Sequence, residues 1–285
     1  MEGFNPDLIG PDFIKPEKKE QEKFSHIKVF RVRHGDTEYY EHTQEKELGP
    51  DDFDITSKGE GQMRTAAETI ERELNKDEDV VCIVTSPRIR TQNGKKIIGE
   101  YLKDRGFLLW NDARMDKPQD RVRNIDVYGE DGDVVPVGDE QYPEIFNQVI
   151  ADLEERTPEN MSRDAYMRKD GHEKLESFED IGKRSRRQLS GFMRIAKRIQ
   201  PKLDRRIVII QLEHCETLDD FYEQASSGEY AMINDSGPSK GDVVELDIPV
   251  DGDEIRVEFL EKEVGKKRKI KFDYLSGEFT PIKAE

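Results

Sequence analysis

Three short apolar runs constrain the fold of this chain more than any other feature of the sequence. They span residues 27–32, 80–84 and 207–212 and are rich in valine and isoleucine. The apolar alternation in residues 27–32 predicts a β-strand, and the runs 80–84 and 207–212 predict strands that are buried on both faces, as in a parallel sheet covered by helices. The sequence therefore indicates an α/β architecture.

Helical patterns lie between these predicted strands. Ser57 and Glu60 form a capping-box signature ahead of one apolar helix face, and Ser177 is placed to cap a long amphipathic helix that reaches residue 199. Further helices are predicted over residues 88–103 and 217–226. The resulting order, β-α-β-α-insertion-α-β-α-β, predicts a three-layer α/β/α sandwich with a mostly parallel central sheet.

The remaining segments form an arm, an insertion and an extension. Residues 1–24 carry three prolines and Lys-Glu-rich sequence, which predicts a flexible N-terminal arm before one domain over residues 25–285. Residues 110–176 are polar and interrupt the sheet pattern, so we expect an insertion or lid there rather than a second core. Three alternating segments predict a C-terminal β-hairpin extension. They span residues 243–248, 254–260 and 268–274.

The chain is strongly acidic, with 46 Lys and Arg against 63 Asp and Glu and a formal net charge of −17 over 285 residues. This charge argues against nucleic acid and anionic membranes as partners, and it means that any phosphate site must be locally basic. No apolar run approaches the ~20 residues of a membrane span, and we expect no secretory signal. The two cysteines fit a reducing compartment. We therefore expect a cytoplasmic protein, and its oligomeric state stays open.

Each apolar run ends in polar residues that suit phosphate chemistry. The first leads into Arg33, His34 and Gly35, the second into a segment containing Arg90, and the third into His214. If the strands are parallel neighbours, their carboxyl ends bring two imidazoles and two guanidinium groups to one edge of the sheet. An imidazole can attack phosphorus, and a guanidinium fork matches phosphate oxygens. The sequence therefore predicts a site for a small phosphorylated substrate.

Five motifs in chain order resemble those of the histidine phosphatase superfamily, branch 1, which has the phosphoglycerate-mutase-like fold. Residues 33–37, Arg-His-Gly-Asp-Thr, resemble the family signature Arg-His-Gly-Glu-Thr, and residues 55–62 look like the segment that opens the family's first helix. Residues 85–91 are similar to its serine-proline-x-x-arginine-threonine motif. Glu176-Ser177 with Arg184 resembles a Glu-Ser…Arg pattern, and His214 falls at the place of the second family histidine.

The resemblance implies a role for each matching residue. His34 would be the nucleophile that becomes phosphohistidine, and Arg33 and Arg90 would clamp the phosphoryl oxygens. His214 would donate to the same oxygens as charge builds, and Thr37 would help to bind the substrate. Arginine and histidine can neutralise these oxygens directly, so we expect neither a metal ion nor a cofactor.

The reaction also needs a general acid that protonates the leaving alkoxide and later activates water. In the family this carboxylate follows the second arginine by about two dozen residues or more. Asp116 lies at that place and is our first choice, and Asp120 and Asp126 remain open as alternatives.

The sequence departs from the family pattern at several positions. Asp36 replaces the commoner glutamate, and Tyr40 stands where many members that act on sugar phosphates carry asparagine. Cys215 and Glu216 follow His214, where the family usually has glycine-rich sequence. An acidic neighbour there would weaken phosphate binding or raise the pKa of His214 by charge proximity.

The function predicted from these residues is a metal-independent phosphatase that hydrolyses a phosphate ester through a phosphohistidine on His34. A phosphoglycerate-type mutase remains an alternative, as does a catalytically impaired phosphate-binding module of the same fold. The sequence does not identify the phosphate ester.

Overall fold

The computed structural model describes eleven parts of the chain, and the account below concerns these alone. They are residues 24–37, 54–110, 118–119, 125–135, 139, 141–159, 166, 170–218, 221, 239–260 and 268–281. The predicted N-terminal arm lies almost entirely outside the described residues, so it remains a prediction.

One eight-stranded sheet dominates the fold, in the order β10-β9-β8-β7-β1-β6-β2-β3. The strands β3, β2, β6 and β1 run parallel, and β7 to β10 extend the sheet antiparallel from β1. In chain order the strands of this sheet are β1 His26–Arg33, β2 Asp79–Thr85, β3 Leu108–Leu109, β6 Arg206–Glu213, β7 Val243–Pro249, β8 Glu254–Leu260, β9 Arg268–Asp273 and β10 Glu278–Pro281.

Helices cover both faces of this sheet. Helices α1, Ser57–Arg72, and α2, Ile89–Asp104, pack through one apolar cluster that includes Met63 and Ile98. A long helix, Phe178–Arg198, here called α4, packs through a second cluster on the opposite face, and a short 3-10 helix, Gln200–Lys202, follows it. These three layers confirm the α/β/α sandwich that the sequence predicts.

Capping explains where two of these helices begin. Ser177 accepts a hydrogen bond from the amide of Asp180, as expected for the N-cap of α4. In α1 the capping residue is Thr56, which accepts from the amide of Gly59, so the prediction of Ser57 is off by one residue. The error arises because either hydroxyl is a suitable cap.

The insertion forms a small apolar cluster of its own, which the sequence analysis did not expect. It contains the hairpin of β4, Val127–Tyr128, with β5, Val134–Val135, and the helix α3, Tyr142–Arg156. The apolar face of α3 packs with the hairpin and with Ile181 of α4. One amphipathic helix and one hairpin therefore form an apolar cluster with Ile181, although the composition of the insertion is polar overall.

The C-terminal extension has one more strand than predicted, because β10 pairs with β9. The predicted helix 217–226 can be followed only in part, since residues 215–218 and 221 are helical and residues 222–226 lie outside the described ones. No helix in the described ranges is long and apolar enough to span a membrane.

Candidate active site

The predicted site residues meet at the carboxyl edge of the parallel strands. His34 directly follows β1, Ser86 follows β2, and His214 follows β6. β6 lies between β1 and β2, and the amide of His34 donates to the carbonyl of Glu213 at 3.1 Å. The two imidazole rings lie 5.1 Å apart between centroids, edge to face.

A close contact between two glycines holds the loop after β1 against α1. A Cβ atom added to Gly35 would lie 2.4 Å from the carbonyl oxygen of Gly59, and one added to Gly59 would lie 2.2 Å from the carbonyl oxygen of Asp36. Both distances are far below a normal contact, so neither position accepts a side chain. Gly35 is thus required by the close approach of α1.

Hydrogen bonds determine the tautomer of His34. Its Nδ1 lies 2.7 Å from the carbonyl oxygen of Gly35, which can only accept, so Nδ1 carries the proton. Its Nε2 accepts a hydrogen bond from Nε of Arg90 at 3.2 Å. The lone pair of Nε2 therefore points at the guanidinium group, which is the orientation that a nucleophile for a bound phosphoryl group needs.

The tautomer of His214 follows in the same way. Nη2 of Arg90 lies 3.3 Å from Nδ1 of His214, and because guanidinium only donates, Nδ1 is the acceptor. Nε2 then carries the proton and donates to Oγ of Ser86 at 2.7 Å. Ser86 Oγ lies 2.9 Å from Oγ1 of Thr91, whose own proton goes to the carbonyl of Arg88 at 2.8 Å. A directed chain of hydrogen bonds thus fixes this imidazole.

Both histidines are held neutral in the free protein. Burial is the main cause that lowers the pKa of His34 well below its usual value, and the charges of Arg90, Arg33 and Lys240 add to it, whereas the hydrogen bond to Gly35 acts in the opposite direction. Burial likewise lowers the pKa of His214, with Arg90, the neighbouring His34, and the charges of Arg88 and Arg33 contributing. The expectation that Glu216 raises the pKa of His214 is wrong, because burial and nearby cations dominate.

A third arginine belongs to this cluster, and the sequence analysis did not assign it. Arg88 is buried, with 9% of its surface exposed, and its charge acts on His214. It stands at the N-cap of α2, two residues before Arg90. Its presence in the matched segment 85–91 was the signal that could have identified it.

Lys240 adds a further cation near His34. It bonds the carboxylate of Asp36, and this contact is the main cause that lowers the pKa of Asp36. Lys240 lies about 200 residues along the chain from Asp36, so no local sequence pattern indicates that the two side chains pair.

The other predicted residues fall into two groups. Thr37 pairs with Ile55 through an isolated antiparallel backbone bridge, and its predicted role in substrate binding remains a prediction. Asp126 is buried, and its amide donates to the carboxylate of Glu176, which is held in turn by Arg184 at 2.5 and 2.7 Å. Asp116 and Asp120 lie outside the described residues.

Glu216 is a further carboxylate close to His214 in sequence. Its Oε2 is buried and accepts no hydrogen bond from the residues that the structure describes. No three His, Cys, Asp or Glu side chains among those residues are grouped so that they could hold a metal ion.

A buried histidine pair and an arginine cluster lie at the edge of the parallel sheet of this α/β protein, an arrangement that suits an anion. Residues 29–111 match the family model described as histidine phosphatase superfamily (branch 1). The similarity includes the motifs around His34 and Arg90 and spans less than a third of the chain. No curated protein sequence matches it significantly.

Several solved structures are similar to this chain at low identity. A mycobacterial hydrolase is 16% identical and has a TM-score of 0.45, over 85% of this chain and 100% of that one. A mycobacterial glucosyl-3-phosphoglycerate phosphatase is 18% identical with a TM-score of 0.46, over 78% and 90%. A phosphoglycerate mutase from Bacillus anthracis is 14% identical with a TM-score of 0.47, over 79% and 89%.

Proposed function

We propose that this protein is a metal-independent phosphatase that hydrolyses a phosphate monoester through a phosphohistidine on His34. The observation that carries the proposal is the state of His34, which is neutral and bears its proton on Nδ1, with Nε2 facing Arg90. A neutral imidazole with a directed lone pair is a nucleophile, and the adjacent guanidinium attracts the group it would attack.

The first step transfers the phosphoryl group to the protein. Nε2 of His34 forms a bond to phosphorus, and the bond between phosphorus and the ester oxygen breaks. The departing oxygen takes a proton from a carboxylic acid. The ring of His34 gains positive charge in this step, and the carbonyl of Gly35, which accepts from Nδ1, stabilises that charge.

Arg90 must change partners for this step. In the free protein its Nε and Nη2 donate to the two imidazoles. A phosphate dianion is a stronger acceptor than a neutral imidazole, so a bound substrate would draw these donors onto its oxygens. Arg33 and His214 would donate to the same oxygens, in the roles that the resemblance implies.

Hydrolysis of the phosphohistidine completes the cycle. A water molecule attacks phosphorus, the carboxylate takes its proton, and inorganic phosphate leaves as the lone pair returns to Nε2. Asp116 remains the first candidate for this carboxylate, with Asp120 and Asp126 as alternatives. Glu216 joins them because it follows His214 by two residues and has a buried oxygen that accepts no hydrogen bond from the described residues.

The nucleophile is tested by the change His34→Ala. We expect it to abolish the hydrolysis of an aryl phosphate and the acid-labile labelling of the protein in rapid-quench experiments with radioactive substrate. His26→Ala, at the opposite end of β1, is the matched control and should keep both. Full activity of the His34→Ala protein would refute the mechanism.

The proton donor is tested with leaving groups of different basicity. Each candidate is changed in turn, as Asp116→Asn, Asp120→Asn, Asp126→Asn and Glu216→Gln. Loss of the general acid should slow an alkyl phosphate by about 10²–10⁴-fold and p-nitrophenyl phosphate far less, because nitrophenolate leaves without a proton. A variant that slows both substrates equally has lost something other than the acid.

The alternatives are separated by the fate of the phosphoryl group. A mutase would transfer it to a second hydroxyl of a sugar acid, and a phosphatase releases it to water. A binding module would bind phosphate or vanadate in calorimetry and show no turnover with any substrate.

A further inference from the structure

A buried ion pair lies directly behind the two catalytic imidazoles. Arg31 of β1 donates two hydrogen bonds to the carboxylate of Glu213 of β6, from Nε to Oε1 at 2.6 Å and from Nη2 to Oε2 at 2.7 Å. Only 3% of Arg31 and none of Glu213 is exposed. Glu213 immediately precedes His214, and its carbonyl accepts from the amide of His34. Glu213 is therefore linked to both histidines through its backbone, by a peptide bond to His214 and by a hydrogen bond from His34.

The same guanidinium also holds the chain on the other side of His214. Nη2 of Arg31 donates to the carbonyl of Thr217 at 3.1 Å, and the hydroxyl of Thr217 donates to the carbonyl of His214 at 3.0 Å. Arg31 further bonds Ser185 of α4 and lies 4.7 Å from the ring centre of Phe221. One side chain thus fixes the residues before and after His214 against two neighbouring elements.

Stability alone gives little reason for charges at this place. Removing two charges from water is expensive, and a buried pair is often no more stable than apolar side chains of similar size. A bidentate pair differs from apolar packing in that it fixes direction and distance. An ion pair at this position is suited to holding a neighbouring group in one orientation.

We propose that Arg31 and Glu213 are positioning residues that hold the imidazole of His214 in register with His34 for phosphoryl transfer. The pair bears no net charge, so it leaves the positive field of the pocket unchanged. His214 is faced by Ser86, His34 and three arginines, Arg33, Arg88 and Arg90. With its flanks fixed, the ring keeps its Nδ1 towards Arg90 and its Nε2 towards Ser86.

The two partners have opposite charge, so breaking the pair from either side has opposite effects on His214. Glu213→Gln leaves the positive charge of Arg31 unpaired beside the segment that carries His214 and should lower the pKa of His214 further. Arg31→Met leaves the carboxylate of Glu213 and raises that pKa. These opposite shifts report that the pair acts on the ring, and the loss of kcat reports the positioning role.

A second arginine–carboxylate pair on the same strand, with Asp79 buried and Arg206 half-buried, provides the control. Arg206, at the amino end of β6, forks onto Asp79 at 2.8 and 2.9 Å. Asp79→Asn breaks a pair of the same chemistry and destabilises the protein without touching the segment that carries His214. The comparison therefore separates positioning from general loss of stability.

The test measures kcat and KM for an aryl phosphate well below the unfolding temperature, together with the ¹⁵N signals of His214 in the resting protein. This inference rests on the proposed function only for its kinetic part. We expect Glu213→Gln to lower kcat about 10²-fold with little change in KM, as for a misplaced catalytic group. Asp79→Asn should keep kcat within about threefold of the wild type. Arg31→Met and Glu213→Gln should shift the titration of His214 in opposite directions.

A double variant, Arg31→Met with Glu213→Leu, tests whether packing alone is sufficient. We expect it to recover thermal stability but not kcat, and recovery of both would overturn the proposal. Wild-type kcat and an unchanged ring titration in Glu213→Gln would also overturn it. If the wild type turns over no substrate, the proposed function fails, and the ¹⁵N titration with vanadate binding still tests the positioning.

Discussion

The amino ends of the parallel strands and the arginine–histidine cluster beyond their carboxyl ends both bury charge, but they arrange it in opposite ways. At the amino ends, Lys28 bonds Glu245 and lies 3.9 Å from Asp247, while Arg206 forks onto Asp79. At the carboxyl ends, Arg90 donates to two histidines that carry no charge. The ion pairs of Lys28 and Arg206 with carboxylates link neighbouring strands. The hydrogen bonds from Arg90 to the neutral imidazoles can instead be exchanged for bonds to an incoming anion.

The largest difference between the two ends should appear in catalysis when Arg90 is changed to Met. The variant loses the guanidinium that faces both imidazoles, so kcat/KM should fall by about 10³–10⁵-fold, as for other arginines at transferring phosphoryl groups. Thermal unfolding should be affected less than activity, because the two imidazoles that lose this donor are neutral and each keeps another hydrogen bond, to Gly35 or to Ser86. A lower unfolding temperature with an unchanged kcat/KM per folded molecule would contradict the assignment of Arg90 to the active site.

The opposite outcome is expected when Lys28 is changed to Met. Glu245, of which 2% is exposed, would keep a buried charge without its cation, so stability should fall by about 3–5 kcal/mol in chemical denaturation near neutral pH. Activity per folded molecule should not change. Lys269→Met, which breaks an exposed pair with Glu254, is the control and should cost less than about 1 kcal/mol.

Stabilisation by inorganic phosphate should distinguish the arginine–histidine cluster from the ion pairs at the amino ends of the strands, without any substrate. An anion that binds only the folded state stabilises it by about 2.7 kcal/mol at a hundred times its Kd. We expect this rise in the wild type and in Lys28→Met, and none in Arg90→Met, when thermal unfolding is followed at constant ionic strength. Equal protection of all three proteins would mean that phosphate does not bind at the arginine cluster.

The smallest effect concerns pH. Because burial lowers the pKa of His34 and His214 below 6.5, the unfolded chain takes up protons first as the pH falls through that value. Stability should therefore decrease on acidification by up to about 1.4 kcal/mol per pH unit for each histidine. The double variant His34→Gln, His214→Gln should show a shallower decrease in phosphate-free buffer. An unchanged slope would show that these rings are not held neutral.

Much of the site could be predicted because parallel strands end at a shared edge. The motifs around His34, Arg90 and His214 needed only that rule to be placed together, and the structure brings these three residues into contact. Their catalytic roles remain predictions, and so does that of Asp116, which lies outside the described residues.

Other features depend on contacts between distant parts of the chain, which local patterns do not show. The pairing of Lys28 with Glu245 depends on the register of β1 against β7, more than 200 residues away. Glu213 follows the apolar run 207–212, and its pairing with Arg31 follows from the register of β1 with β6. The tautomer of His214 required the position of Ser86, and the apolar cluster of the insertion required the packing of α3 on α4.

The short outer strands of the sheet have a consequence for solubility. β3 has two residues, and β10 has four and ends at Pro281, which has no amide proton to donate. Neither outer strand in the described part of the chain offers a long row of free backbone groups to a second molecule. Near the isoelectric point of about 4.9, where charge repulsion between molecules vanishes, we expect any precipitate to redissolve as native protein rather than to mature into cross-β fibres.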